Sequence, residues 1–188
     1  MKKALVLLAD GCEELEAVSI VDVLRRGGVE VSALSIAGRA EVAGAHGIRI
    51  GADAALPADP AAAEALAAAA DAVALPGGMG GMRALRASPA VLAVLRAAAA
   101  RGAVVAAVCA APAVLDAAGL LAGRRFCCYP GIERDLSGAG TYVPGVPTVA
   151  DGNVVTGTGP GTAALFAAEI LRALGGPAED VAAAMLLR

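Results

Sequence analysis

Four short, largely apolar runs punctuate the chain: ALVLLA at 4–9, VEVSALSI at 29–36, DAVALP at 71–76 and AVVAAV at 103–108. Runs of this length with few polar interruptions suit strands buried on both faces, which is the situation of a parallel sheet covered by helices. The segments between them have helical texture. EELEAVSIVDVLRRGG carries acidic residues at its start, Arg25 and Arg26 in its last turn, and Gly27 and Gly28 as its stop. SPAVLAVLRAAAARG opens with Ser88 as N-cap and Pro89 at the first helical position. Strands alternating with helices predict an α/β chain, a flavodoxin-like three-layer α/β/α sandwich with a mostly parallel sheet.

Residues 39–57 and 141–156 differ in texture, and TVADGNVVTGT places an Asp-Gly pair between alternating residues. These segments predict hairpins or edge strands appended to the sheet. GPGTAALFAAEILRALGG predicts a long helix, PAEDVAAAMLLR a last one, and the alanine-rich stretch 61–70 a surface helix. The 188 residues fit one domain, 1–188. Hydrophobic residues make up 58% of them, much of that alanine, and tryptophan is absent, so the core must consist of closely packed small and aliphatic side chains.

A net charge of −3 without a basic run gives no electrostatic footprint for nucleic acid or an anionic membrane. The first apolar stretch ends at Asp10, too early for a secretory signal, and the longest uncharged apolar stretch, Gly102 to Leu115, is short and contains Pro112. A soluble cytoplasmic protein is expected. Cys12, Cys109, Cys127 and Cys128 lack the density of a disulfide scaffold and read as reduced thiols.

In open α/β sheets, ligands sit where strands turn into helices. Here those turns are DGCEELE, PGGMGGM, CAAP and GTGPGT. Cys109 is last in a buried run and first before a helix, with Ala107, Ala110 and Ala111 leaving room for a sharp nucleophile elbow. A helix N-terminus there would lower its pKa. A cysteine among alanines and valines is equally what a buried small hydrophobe looks like, and position alone leaves both readings open.

The glycines of LPGGMGGM would let backbone amides approach a ligand oxygen as an oxyanion hole, or serve only a turn. Neither this stretch nor GTGPGT has the glycine spacing of a dinucleotide site, and no P-loop lysine follows. Glu13, Glu14 and Glu16 lie in the first turn of the first helix, where the dipole favours carboxylates for purely structural reasons. Glu16 shares a stripe with Ile20, Val23 and Leu24, so it could be drawn inward and kept protonated; spacing does not choose it over Glu13. The only histidine, His46, falls in a hairpin segment and reads as a surface residue, so no downstream histidine can serve Cys109. No His/Cys/carboxylate cluster has metal-ligand spacing, so no metal is expected.

Taken together, KKALVLLADGCEELEAV, VDVLRRGGVEV, AVALPGGMGG, VVAAVCAAPAVL, CCYPGIE and VVTGTGPGTA, in this order, resemble the ThiJ/PfpI superfamily. The resemblance covers nearly the whole chain and is nearest the branch of the parkinsonism-associated protein deglycase and its bacterial relatives. It implies that Cys109 is the elbow cysteine and Glu16 the buried protonated carboxyl facing it. It implies further that Gly77 and Gly78 are the family's glycine pair, with the Gly78 and Ala110 amides near a developing oxyanion, and that Tyr129, Gly159, Pro160 and Gly161 line the pocket. The first helix, around Arg25 and Arg26, corresponds to a homodimer surface, and His46 to a position reaching toward the partner subunit's pocket. Tyr129-Pro130 stands where some members have a histidine before the proline, and Ala110 where the protease branch has histidine, so protease and amidotransferase chemistry lacks its base.

Two functions are compatible with these residues. One is a cofactor-independent glyoxalase III-type or deglycase-like enzyme acting on a small aldehyde or ketoaldehyde through Cys109 and Glu16. The other is a non-enzymatic, redox-responsive stress protein or chaperone that senses oxidation at Cys109. A nucleotide-binding module is disfavoured by the glycine spacing.

Overall fold

The computed structural model describes residues 1–187. Its elements, in chain order, are β1 (Lys3–Leu8), α1 (Glu14–Arg26), β2 (Glu30–Ser35), β3 (Glu41–Ala43), β4 (Arg49–Gly51), β5 (Ala54–Ala55), α2 (Pro60–Ala67) and β6 (Ala72–Leu75). There follow α3 (Met79–Ala87), α4 (Pro89–Ala100), β7 (Val104–Val108), α5 (Pro112–Ala117), β8 (Arg125–Phe126), β9 (Thr141–Tyr142), β10 (Thr148–Asp151), β11 (Val154–Gly157), α6 (Ala163–Ala173) and α7 (Ala178–Ala184).

The main sheet runs β10-β11-β7-β6-β1-β2-β5 and is parallel throughout except for β10, which pairs antiparallel with β11. Successive strand residues face opposite layers. Leu5, Leu7, Val73, Leu75, Val105 and Ala107 pack toward α2, α3, α4 and α5. Val6, Leu8, Ala74, Ala106 and Val108 pack toward α1, α6 and α7. This two-sided burial is why these strands read as continuous apolar runs, and it makes the fold the three-layer, flavodoxin-like arrangement that the sequence predicts.

The helix boundaries follow local chemistry. Ser88 Oγ accepts the Val91 amide at 3.3 Å, and α4 begins with Pro89. Helix α1 stops at Gly27, and Gly28 has φ +76°. The appended segments divide. β3 and β4 form a separate antiparallel hairpin, β5 joins the edge of the main sheet, and the Asp151-Gly152 turn joins β10 to β11. β9 pairs with β8 in a small sheet of its own. Among the described residues no helix is long and apolar enough to cross a membrane.

The turns that follow β1, β6, β7 and β11 lie at the carboxyl ends of these neighbouring strands. The chain order reverses between β1 and β6, where this class of sheet opens a crevice.

Candidate active site at the Cys109 elbow

Cys109 leaves β7 with φ +64°. A side chain in this left-handed region is disfavoured by about 1–2 kcal/mol, so the surrounding contacts must hold it there. The Cys109 amide donates to the Gly157 carbonyl at 2.9 Å, and its carbonyl accepts the Tyr129 amide at 2.8 Å. Backbone from β11 and from the segment after β8 thus clamps the strained residue on both sides. The side chain is partly exposed, and the neighbouring amides of Gly78 and Ala110 favour its charged form. Both amides are the ones that the resemblance assigns to an oxyanion.

The PGG turn supplies Gly78 only because two residues there lack a Cβ. A Cβ on Gly77 would lie 2.8 Å from Cys109 Cβ and 2.9 Å from Glu16 Oε2. Gly78 has φ +81°, and a Cβ there would stand 2.6 Å from the Glu13 amide nitrogen. The Glu13 amide in turn donates to the Gly77 carbonyl at 3.1 Å, so the start of α1 and the PGG turn are stitched together.

That stitching decides between the acidic residues. Glu13 is the N-cap of α1, its Oε2 accepting the Glu16 amide at 2.8 Å. Glu16, fully buried on the stripe with Ile20, Val23 and Leu24, accepts the Gly77 amide through Oε2 at 2.7 Å. Its other oxygen, Oε1, is buried and accepts no hydrogen bond among the described residues. An ionised oxygen left bare in this way is costly, whereas a protonated one becomes a donor. The Cys109 thiol interacts with this carboxyl.

Burial pushes Glu16 up to about 7, against the opposing pull of the Gly77 amide and Cys109, and the charge of Glu13 adds to the rise. The thiol corrects the expectation of a depressed pKa. Burial, then the Glu16 charge, push Cys109 up to about 12, and the amides of Gly78 and Ala110 offset only part of this. The two groups titrate as a pair that holds one proton between about 7 and about 12. With that proton on Glu16, the sulfur is a thiolate facing a hydrogen-bond donor instead of a like charge.

Around this pair, Tyr129 is half-exposed, and its ring lies 3.3 Å from where a Cβ on Gly159 would be. Pro160 begins a single 3-10 turn through Thr162, whose hydroxyl bonds back to Gly159. Tyr129 and Gly159 thus face each other across two segments.

His46 projects from the β3–β4 loop, with Nδ1 2.9 Å from Glu14 Oε2 and its amide 2.7 Å from Glu14 Oε1. Burial opposes ionisation of Glu14, but these hydrogen bonds hold its carboxyl at about 2. Local spacing carries no signal for this link, which spans 32 residues. Glu13, Glu14 and His46 bring ligand-type atoms within 4.8 Å of one another, yet Glu13 caps α1 and Glu14 binds the hairpin, so capping and tethering account for the group.

The chain matches the DJ-1/PfpI family model over residues 2–173. It is 37% identical to protein dj-1beta of Drosophila melanogaster, covering 99% of this chain and 97% of that one. The crystal structure of Drosophila DJ-1beta superposes with a TM-score of 0.91 over 100% of this chain and 98% of the other. The Parkinson disease protein 7 homolog of Danio rerio is 37% identical across 100% of this chain and 98% of its own length. Toxoplasma gondii DJ-1, solved in an oxidized form, is 34% identical, with a TM-score of 0.88 over 99% of this chain and 98% of that one.

Proposed function

From the premise that the chain belongs to the DJ-1/PfpI family, we propose that it is a cofactor-independent enzyme of the glyoxalase III or deglycase type, acting on small aldehydes and ketoaldehydes. The observation that carries this reading is the bare, buried Oε1 of Glu16 near a strained, partly exposed cysteine whose charged form the Gly78 and Ala110 amides favour.

With methylglyoxal as substrate, the Cys109 thiolate adds to the aldehyde carbon, forming the C–S bond while the carbonyl pair moves to oxygen. The Gly78 and Ala110 amides hold that oxyanion, and the Glu16 proton neutralises it. Glu16, now ionised, takes the proton from the former aldehyde carbon to give an enediolate and returns it to the neighbouring carbon, while the proton of the first hydroxyl passes to the adjacent alkoxide oxygen, leaving a lactoyl thioester. Water displaces the sulfur, lactate departs and Cys109 is regenerated. The sum is methylglyoxal plus water to lactate, and no histidine is used. The test is turnover of methylglyoxal and glyoxal by wild type, Cys109→Ala and Glu16→Gln. Loss of activity in both variants is the expected result, and activity surviving Cys109→Ala overturns the proposal.

These donors also favour a redox role, since sulfinate oxygens would occupy the same amides and the Glu16 hydroxyl. Toxoplasma gondii DJ-1, a relative along nearly its whole length, has been solved in an oxidized form. Hydrogen peroxide would transfer one oxygen at a time to Cys109, releasing water at each step. Mild peroxide followed by peptide mapping should find two oxygens on Cys109 before any on Cys12, Cys127 or Cys128, which are all buried. Four free thiols suit the reducing cytoplasm expected for this chain.

A homodimer is proposed through α1, with a different emphasis from the arginines. Arg25 is tied to the Val31 carbonyl and Asp53, and Arg26 to Asp22. Toward the start of the same helix Leu15 and Val18, and in the β3–β4 loop Ile48, are exposed apolar side chains. Val18→Asp should convert a dimer to monomer in sedimentation equilibrium.

A further inference from the structure

Three amide hydrogen bonds close a ring between the start of α1 and the PGG turn. The Glu13 amide donates to the Gly77 carbonyl at 3.1 Å, the Gly77 amide to Glu16 Oε2 at 2.7 Å, and the Glu16 amide to Glu13 Oε2 at 2.8 Å. Each residue donates to the next, so the backbone that carries Glu16 and the amide that holds its carboxyl are fixed relative to each other. Oε2 must stay an acceptor for the Gly77 amide. The proton of a neutral Glu16 therefore belongs on the bare Oε1.

A cap alone does not call for glutamate. Helix N-caps favour serine, threonine, aspartate and asparagine, whose short side chains reach the amides of the first turn. Glu13 is buried, and His46 pairs with Glu14 instead of with it. Its carboxylate thus stands beside a second carboxyl, and a like charge favours the neutral form of its neighbour. The charge of Glu13 acts on Glu16, whereas Cys109 is governed by burial, by Glu16 and by the amides of Gly78 and Ala110. Glu13 therefore weights one side of the competition for the shared proton. The other titratable groups around it are Cys12 in the same turn, and Glu14 and His46, whose ligand-type atoms lie within 4.8 Å of its own.

We infer that Glu13 is a positioning residue for the Glu16–Cys109 pair: its carboxylate fixes Glu16 so that Oε1 carries the shared proton, and its negative charge keeps that proton off the sulfur. One proton passes from sulfur to Oε1 as the thiolate forms, and nothing else is exchanged. The inference rests on the reading of this pair as the machinery that adds to small carbonyl compounds.

The test is the pH profile of Cys109 alkylation by iodoacetamide, read by peptide mapping, in wild type, Glu13→Gln, Glu13→Ser and Glu13→Asp, with thermal melts to confirm folding. Glutamine and serine keep a cap oxygen without the charge; aspartate keeps both. The two uncharged variants should show the inflection at lower pH than wild type and a plateau rate lower by about threefold or more, and Glu13→Asp should recover both. If Glu13 were only a cap, serine would rescue as well as aspartate, and that result overturns the inference. So does a wild-type profile in Glu13→Gln when Glu16→Gln has lost the inflection. The hydrogen bond to Glu14 holds His46 above its ordinary value, and recording every profile in a His46→Asn background removes its contribution. Methylglyoxal turnover by the same variants separates the two readings. If no aldehyde is consumed yet the charge dependence of alkylation appears, the enzymatic reading fails and the role of Glu13 stands.

Discussion

Gly77 and Cys109 approach so closely that a Cβ added to the glycine would lie 2.8 Å from the Cβ of the cysteine. The same atom would meet Glu16 Oε2 at 2.9 Å and the Val108 carbonyl at 2.9 Å, so no flexible side-chain end can yield cheaply. Gly77→Ala should therefore cost about 1–3 kcal/mol through overpacking. It should also displace Glu16 from the Gly77 amide, slowing Cys109 alkylation by iodoacetamide even where thermal denaturation shows a folded protein. A variant with wild-type stability and reactivity would mean that the elbow is looser than this packing requires.

The shared proton makes Cys109 reactivity depend on a carboxyl. Raising pH through about 7 removes a proton from the Glu16–Cys109 pair and gives the sulfur its first access to the thiolate form. Wild-type alkylation should rise with an inflection near pH 7, and Glu16→Gln should lose that inflection. Stability moves the opposite way. A buried acid with a raised pKa contributes stability below its unfolded value of about 4.5, and that contribution is lost as pH rises through about 7. Between pH 5 and 8 the wild type should therefore lose up to about 3 kcal/mol relative to Glu16→Gln, measured by denaturant titration at each pH.

Much of this arrangement is legible in the chain itself, for reasons that differ by element. β1, β6 and β7 are buried on both faces, so their residues are apolar without interruption; Ser88 and Gly27 mark helix ends through local hydrogen bonding. The two-residue strands β5, β8 and β9 carry no periodic signal at all. The choice of Glu16 over Glu13 depends on Gly77, 61 residues away, and the His46–Glu14 link spans 32 residues. Neither is written in local spacing. The thiol pKa is not legible in the elbow motif because a strand-to-helix position announces a helix dipole but hides the burial of the sulfur and the carboxyl opposite it.

Backbone strain at the elbow gives a test independent of activity. At φ +64° a Cβ is penalised and glycine is not, so Cys109→Gly should be more stable than Cys109→Ala by about 1 kcal/mol, although glycine ordinarily costs entropy. Thermal or urea unfolding of the two variants reads this difference directly. Equal stabilities would mean that the loop relaxes once sulfur is removed, and that the clamp from Gly157 and Tyr129 does not hold the strain.

Glu14 tethers the β3–β4 hairpin to the start of α1. Its buried carboxylate accepts the His46 amide at 2.7 Å, the Ile48 amide at 3.4 Å and the His46 ring at 2.9 Å. Glu14→Ala leaves these donors without their acceptor, which should cost about 1–3 kcal/mol where they remain buried. Because its folded pKa is depressed to about 2, the tether is fully present above about 4.5 and is lost as pH falls toward 2. Hydrogen exchange of the His46 and Ile48 amides should accelerate in Glu14→Ala at neutral pH and in wild type only under strong acid. His46→Ala should lie between the two, because it removes the ring contact and keeps both amides on the carboxylate. Unchanged exchange in Glu14→Ala would show that the backbone bonds from Gly11 to Ala43 and from Ala45 to Cys12 hold the hairpin without it.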